Sequence, residues 1–363
     1  MLAGRSALDE FSQDPTPRLE DARGAQATLE PWTIRPYRSG DEEQIVALFK
    51  KVFGFELSLQ RWRWKFRENP GGEEHIYLAV TKSGRIVGQY AGLPVLMNWD
   101  GETLRFAQVV DAMVDPEFRA GLKKPGMFVK LAAPFIEAYR GLHKSVGAFG
   151  FPPLHHLRIG RLLHYIERHR VEQLVRPLDA SATNGSDHAP SAHWIVEEIP
   201  AFDARADRLW ARCRPELPVV VIRDARYLNW RYAQHPEVRY RLLVVRRRLS
   251  EEWAGLAVLR LGIGQFGVGE ATACLMDWLV PIDTWWPAVL LLEHCEALAK
   301  KAGMVDVQSW FRPGSAHWQR FIEHGFRPEP TPVYFVAGQA VSDIRLDWGC
   351  DRWYYTMGDA DLF

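Results

Sequence analysis

Trp64-Lys65-Phe66-Arg67-Glu68-Asn69-Pro70 and Trp230-Arg231-Tyr232-Ala233-Gln234-His235-Pro236 repeat one pattern in register. Each reads Trp, a cation, an aromatic, two spacers, a side-chain amide or imidazole, then Pro. An apolar strand-like run follows both copies, at 76–80 and at 242–245. Internal similarity decides architecture before any other signal, and this separation is far too long for a solenoid repeat. It suits two copies of one domain, which the length of 363 residues accommodates, each copy large enough to bury its own core.

The elements around the repeat fall in the same order twice. In the first half a short strand at 32–37 precedes a helix whose apolar residues Ile45, Leu48, Phe49, Val52 and Phe53 follow helical spacing. A second helix at 59–67 stops before Asn69-Pro70-Gly71-Gly72. Strands follow at 75–81, 85–97 and 103–114, then a loop and a helix at 127–140. A strand at 145–151, a helix at 154–163 and an irregular strand at 165–177 complete the half. The second half reads helices at 202–213 and 224–234, and strands at 239–247, 253–261 and 269–280. A helix at 284–302, a strand at 305–311, a helix at 314–324 and a strand at 332–337 follow. Each half is β/α units around a mixed sheet, so the expected class is an α/β fold (an α+β mixed sheet) in tandem. The expected divisions are a disordered leader at 1–31, domains at 32–178 and 193–340, a breaker-rich linker at 179–192, and an aromatic docking tail at 341–363. Trp64 and Trp230 read as core anchors of the second helix in each copy.

Bulk composition excludes several classes of function. Acids and bases balance at 45 each, so no global field draws the chain to nucleic acid or to an anionic membrane. Four scattered cysteines lack CxxC spacing, implying neither a disulfide framework nor a metal site. The acidic start has no apolar segment of the signal-peptide kind, and the longest apolar run, at 285–292, falls far short of the roughly 20 residues that span a bilayer. These features predict a cytoplasmic protein that binds no metal.

The chemistry concentrates at 109–128, Val-Val-Asp-Ala-Met-Val-Asp-Pro-Glu-Phe-Arg-Ala-Gly-Leu-Lys-Lys-Pro-Gly-Met-Phe. A strand ends at Pro116, Arg119 and Gly121 open a loop, and Gly126 precedes a helix. Glycines let backbone amides approach an anion, a helix N-terminus adds its dipole, and Arg119, Lys123 and Lys124 add charge. This is a pyrophosphate cradle. Two other hits are rejected: Gly262-Ile263-Gly264-Gln265-Phe266-Gly267 joins two strands with no helix after it, and 121–126 has P-loop spacing but Met127-Phe128 in place of Lys and Ser/Thr.

At these residues the chain resembles the GNAT superfamily of acyl-CoA N-acyltransferases, whose signature is a strand, Pro-x-x-Arg-Gly-x-Gly-[Ile/Met]-[Gly/Phe], and a helix. Pro116-Glu117-Phe118-Arg119 with Gly126-Met127-Phe128 is similar to it, as are 34–49 to the family's first strand and helix, Gly150-Phe151-Pro152 to the end of its fifth strand, and His324-Gly325-Phe326 to a later helix end. The resemblance covers roughly 32–338 as a tandem pair. It implies acetyl-CoA or another acyl-CoA as co-substrate, bound by Met113, Val114, Arg119, Ala120, Gly121, Gly126, Met127 and Phe128, and a small-molecule amine as acceptor. Asp111 is the candidate base, His155 and His156 are candidates for either base or acid, and a backbone amide near Met113 and Val114 would polarise the thioester carbonyl. The chain departs from the pattern in three places. Six residues rather than two separate Arg119 from Gly126, Pro153 replaces the family's Asn, and Leu157 and Trp318 stand where a thiolate-protonating Tyr is usual. The second half replaces the phosphate loop with Leu279-Val280-Pro281-Ile282-Asp283-Thr284-Trp285-Trp286-Pro287, which has neither Gly nor Arg, so one donor site is expected. Direct attack is expected, since no Cys lies near the loop. The aromatic tail reads first as a structural clamp across the domain interface, and the alternative is that Tyr354, Tyr355, Asp359 and Asp361 enter the acceptor pocket. A FemABX-like aminoacyl-tRNA-dependent transferase and a non-catalytic binding module of the same fold are the competing readings. The protein is expected as a monomer or homodimer.

Overall fold

The computed structural model describes residues 29–73, 75–119, 126–141, 144–163, 165–178, 193–262, 271–339, 341 and 344–361. The leader up to residue 28, the expected linker, and loop residues Ala120 and Gly121 lie outside this set. The first half runs β1 (Trp32–Pro36), α1 (Glu42–Phe53), α2 (Leu59–Phe66), β2 (His75–Thr81), β3 (Ile86–Trp99), β4 (Glu102–Val114), α3 (Met127–Tyr139), β5 (Gly147–Gly150), α4 (Leu154–Leu162) and β6 (Ile166–Pro177). The second runs β7 (Trp194–Ile199), α5 (Ala204–Cys213), β8 (Val219–Val221), α6 (Ala225–Leu228), β9 (Arg241–Arg247), β10 (Trp253–Leu261), β11 (Thr272–Leu279), α7 (Trp285–Lys301), β12 (Asp306–Trp310), α8 (Ala316–Glu323) and β13 (Arg327–Gln339). A short α9 (Leu346–Cys350) opens the tail.

The strands join in one sheet of order β1-β2-β3-β4-β5-β13-β6-β12-β11-β10-β9-β7, with β8 paired to the far end of β3. The order reads alike from both edges because each half lends its last strand to the other. β13 pairs antiparallel with β5, β6 pairs antiparallel with β12, and the two lent strands pair with each other at the centre. A sheet for each half was the expectation, and one shared sheet is what forms. Local patterning cannot distinguish the two, since a lent strand has the same alternation as a retained one.

Two strands were not anticipated, and two elements differ from expectation. β7 carries two adjacent glutamates and β8 only three residues, so neither gives a clear period. β13 begins at Arg327 rather than 332, because its register slips between Pro330 and Tyr334 and so accommodates prolines that ordinarily bar a ladder. The helix expected at 224–234 is one α turn followed by a π-helical turn, Asn229–Ala233.

Strand alternation sorts the first half into two layers. Ile76, Leu78, Val80 and Val110 pack against α1 and α2, whereas Ala79, Val87, Tyr90 and Val114 pack against α3 on the other face. α3 seats closely because Gly88 lies beneath it: a Cβ there would stand 2.7 Å from the Met127 sulfur. A third cluster runs through both halves, from Phe106 and Phe149 to Trp278, Trp310 and Trp353, so the halves share a core.

The repeated motif sits on the pseudo-two-fold axis. Trp64 and Trp230 stack with centroids 5.1 Å apart, and each indole N–H donates to the other's carbonyl at 2.7 and 2.9 Å. They anchor the halves to one another rather than each within its own core. The Asn/His position explains itself as well. Asn69 accepts the backbone N–H of Gly71, and His235 Nδ1 accepts those of Glu237 and Val238, so each side chain closes the turn after its helix.

Accepting two amides commits His235 to the neutral form, and burial with nearby Arg231 holds it down to about 2. Burial likewise lowers His75, His169 and His317 to about 4. An unfolded histidine takes its proton near 6.5, so below that pH the unfolded chain binds protons that the folded one refuses. Stability is therefore expected to fall as pH drops from 6.5 toward 4, by about 1.4 kcal/mol per pH unit for each such histidine. Guanidinium melts at pH 7 and pH 5 measure this; equal midpoints would contradict it.

Candidate active site

The parallel pairing of β4 with β5 lasts three rungs, Phe106 with Gly147, Ala107 with Ala148 and Gln108 with Phe149. β5 then ends while β4 continues to Val114, leaving a wedge between them. At the closed end, on the α3 side, lies a cavity of about 60 Å³ lined by Ala107, Phe135, Ile136, Ala148, Leu163 and Tyr165.

At the open end stands the start of α3. Gly126 caps it in an extended conformation with no side-chain cap bond, and among the described residues nothing lies within 4 Å of where its Cβ would be. A helix start with no side-chain cap leaves its first amides as a ready site for negative charge. Arg119 follows the 3-10 turn Pro116–Phe118, is exposed, and is oriented by its Nε, which donates to the Val114 carbonyl at 3.2 Å. Met113 and Val114 are buried on β4, paired with Gln89 and Gly88 of β3. Met127 is buried in the α3 layer, and Phe128 packs edge-on against Tyr90.

Asp111 is held out of the β4 ladder by a bulge opposite Gln89 and Ala91, with a left-handed φ of 46° that Asp tolerates better than most residues. The buried Gln89 amide clamps the bulge by donating to the Asp111 carbonyl at 3.0 Å. On the α1–α2 face, Asp111 Oδ1 meets Lys65 Nζ at 2.8 Å, whereas Oδ2 is buried with no hydrogen-bond partner among the described residues. Lys65 belongs to the repeated motif, and its pairing with Asp111 was not legible from the sequence. His156 lies in the first turn of α4, half-buried, and is not brought to the Lys65–Asp111 pair by any contact described.

The second half carries a counterpart. Asp277 follows Asp111 at the spacing that separates Trp230 from Trp64 and also sits at a strand bulge. This spacing is the signal that could have paired the two acids. Here the tail occupies the site: Tyr354 donates its hydroxyl to the Trp278 carbonyl, and Thr356 and Gly358 lie against Asp277 and Met276. Arg223, fully buried, links Asp277 at 3.1 Å to Asp359 at 2.5 Å, and Tyr232 donates to Asp277 at 2.8 Å. A Cβ on Gly358 would fall 1.9 Å from the Tyr232 hydroxyl, so only glycine passes there. The tail then crosses to the first half. Gln108 donates to the Asp359 carbonyl at 2.6 Å, Arg231 donates to the Gly358 and Ala360 carbonyls, and Asp361 comes within 3.6 Å of Lys65.

All four cysteines are buried, and burial raises each thiol, to about 12 for Cys213, Cys274 and Cys350, which disfavours the nucleophilic thiolate. Among the described residues no group of three or more His, Cys, Asp or Glu could hold a metal, and no helix is long and apolar enough to cross a membrane.

A wedge between parallel strands, a bare helix N-terminus at its mouth and a carboxylate on the intervening bulge define the class of GNAT-type N-acyltransferases. Residues 33–152 match the family model for the acetyltransferase (GNAT) domain. The family match is confined to that segment of the first half, and the fold of the chain as a whole is a tandem pair of GNAT-type domains. No curated protein matches its sequence. Solved structures share the fold at low identity. A conserved protein of Enterococcus faecalis described as a probable N-acyltransferase has a TM-score of 0.63 at 11% identity, over 85% of this chain and 73% of that one. A GCN5-related N-acetyltransferase from Anabaena variabilis gives 0.63 at 12% identity, over 86% and 73%. N-myristoyltransferase of Saccharomyces cerevisiae, with bound myristoyl-CoA, gives 0.57 at 10% identity, over 90% and 87%.

Proposed function

We propose that this protein transfers an acetyl or other short acyl group from acyl-CoA to the amine of a small molecule or sugar precursor, by direct attack in a ternary complex. In this reading residues 32–178 hold the one donor site and 193–340 form a degenerate copy. The observation that carries it is the β4–β5 wedge with Arg119 and the α3 N-terminus at its mouth and Asp111 beside it. The pyrophosphate lies on the first amides of α3 with Arg119, and the pantetheine arm enters the wedge toward the small cavity at its closed end. The carbonyl oxygen is polarised by a backbone amide near Met113 and Val114. The ammonium of the acceptor loses a proton to a carboxylate; its nitrogen then bonds to the thioester carbon, the C–S bond breaks, and the thiolate is protonated as CoA leaves.

Titration calorimetry with acetyl-CoA tests the donor site. The wild-type chain is expected to bind, and an Arg119→Ala/Gly126→Asp variant to bind at least tenfold more weakly, having lost one cation and gained an anion where the pyrophosphate lies. Equal binding by the variant would overturn the assignment.

A further inference from the structure

Three charged side chains meet where the halves join, on the α1–α2 face of the wedge: Lys65 from α2, Asp111 from the β4 bulge and Asp361 from the tail. Their side chains are 10, 7 and 24% exposed, so the group is withdrawn from water yet open on the Asp361 side. Two acids share one cation. Lys65 is committed to Asp111 Oδ1 at 2.8 Å and reaches Asp361 only at 3.6 Å, while the buried Asp111 Oδ2 has no donor among the described residues. A buried carboxylate oxygen without a donor is costly, and the group carries an excess negative charge. One further cation of hydrogen-bonding geometry would satisfy both.

We propose that Asp111 Oδ2 and Asp361 form a subsite for the ammonium group of the acceptor, with Asp361 delivered by the tail that threads the second half. The inference rests on the acyl-transfer reading for its location. A primary ammonium has three donors, enough to bond both carboxylates, and the bulge sets it beside the wedge in which the thioester would lie. Burial, opposed by Lys65 and reinforced by Asp111, raises the Asp361 carboxyl, which suits it to take a proton from the acceptor. Lys65 is a positioning residue, holding Asp111 so that Oδ2 stays free. The second half shows the same geometry filled from within: Arg223 bridges Asp277 and the tail's Asp359, a cation between two carboxylates.

The test uses the full chain, with acetyl-CoA, spermidine and glucosamine as probes and glucose as the neutral control. Asp361→Asn is expected to bind acetyl-CoA within twofold of wild type but to bind both amines at least tenfold more weakly by calorimetry at low salt. Asp361→Glu is expected to keep amine affinity within about threefold, which separates lost charge from a displaced tail. Wild-type amine affinity in Asp361→Asn, or no amine binding by the wild-type chain, overturns the subsite. Failure of the wild-type chain to bind acetyl-CoA while amines still bind overturns the acyl-transfer reading instead.

Discussion

Arg223→Met is expected to lower the unfolding free energy by about 3–5 kcal/mol. The guanidinium is fully buried, donates to the Val221 carbonyl at 2.7 Å and neutralises both Asp277 and Asp359. Removing it leaves two buried carboxylates without a counter-charge, and methionine fills most of the volume while supplying none. Those carboxyls would then hold protons more tightly folded than unfolded, so the deficit relative to wild type should narrow as pH falls from 8 toward 5. Comparing variant with wild type at each pH removes the opposing contribution of the buried histidines. A companion Arg223→Met/Asp277→Asn/Asp359→Asn variant should recover part of the loss. Urea unfolding of the three proteins decides the matter; a loss below about 1 kcal/mol at pH 8 would mean the charges reach water.

The second large effect concerns chemistry. Asp111→Asn is expected to reduce kcat/KM with an amine acceptor by about 10²–10⁴, with acetyl-CoA affinity unchanged. Asparagine keeps the size of the side chain and accepts the left-handed backbone, so the bulge survives. What it loses is the charge that holds the acceptor's ammonium. CoA thiol release, followed continuously beside calorimetric acetyl-CoA binding, separates the outcomes. An unchanged rate with either acceptor probe would remove Asp111 from the site, and a parallel loss of CoA binding would assign it to the scaffold.

Much of this was legible because the signals are local. The apolar period of α1, the Gly126–Met127 helix start and the repeated Trp motif all act within a few residues of themselves. The Asp111 position followed from its place on a strand just before a loop of glycines and cations. Three things were not legible, for one shared reason: each depends on partners remote in the chain. Lys65 and Asp111 are 46 residues apart, Gln108 and Asp359 are 251 apart, and the lending of β6 and β13 is a choice between equally patterned strands. The tail's aromatic content did announce docking. Its path, by contrast, is set by a buried Arg223 that reads in isolation as one more surface cation.

The exchange of last strands also orders events in time. As the chain leaves the ribosome, β5 emerges with an unpaired edge and keeps it until some 180 residues later, when β13 arrives to cover it. β6 waits likewise for β12. Neither half can complete its part of the sheet as an independent unit during synthesis. The tail is made after β13, so Asp361 can reach Lys65 only once every strand has been synthesised. If Asp361 holds the acceptor's ammonium as proposed, nascent chains cannot bind an acceptor until the tail has been made.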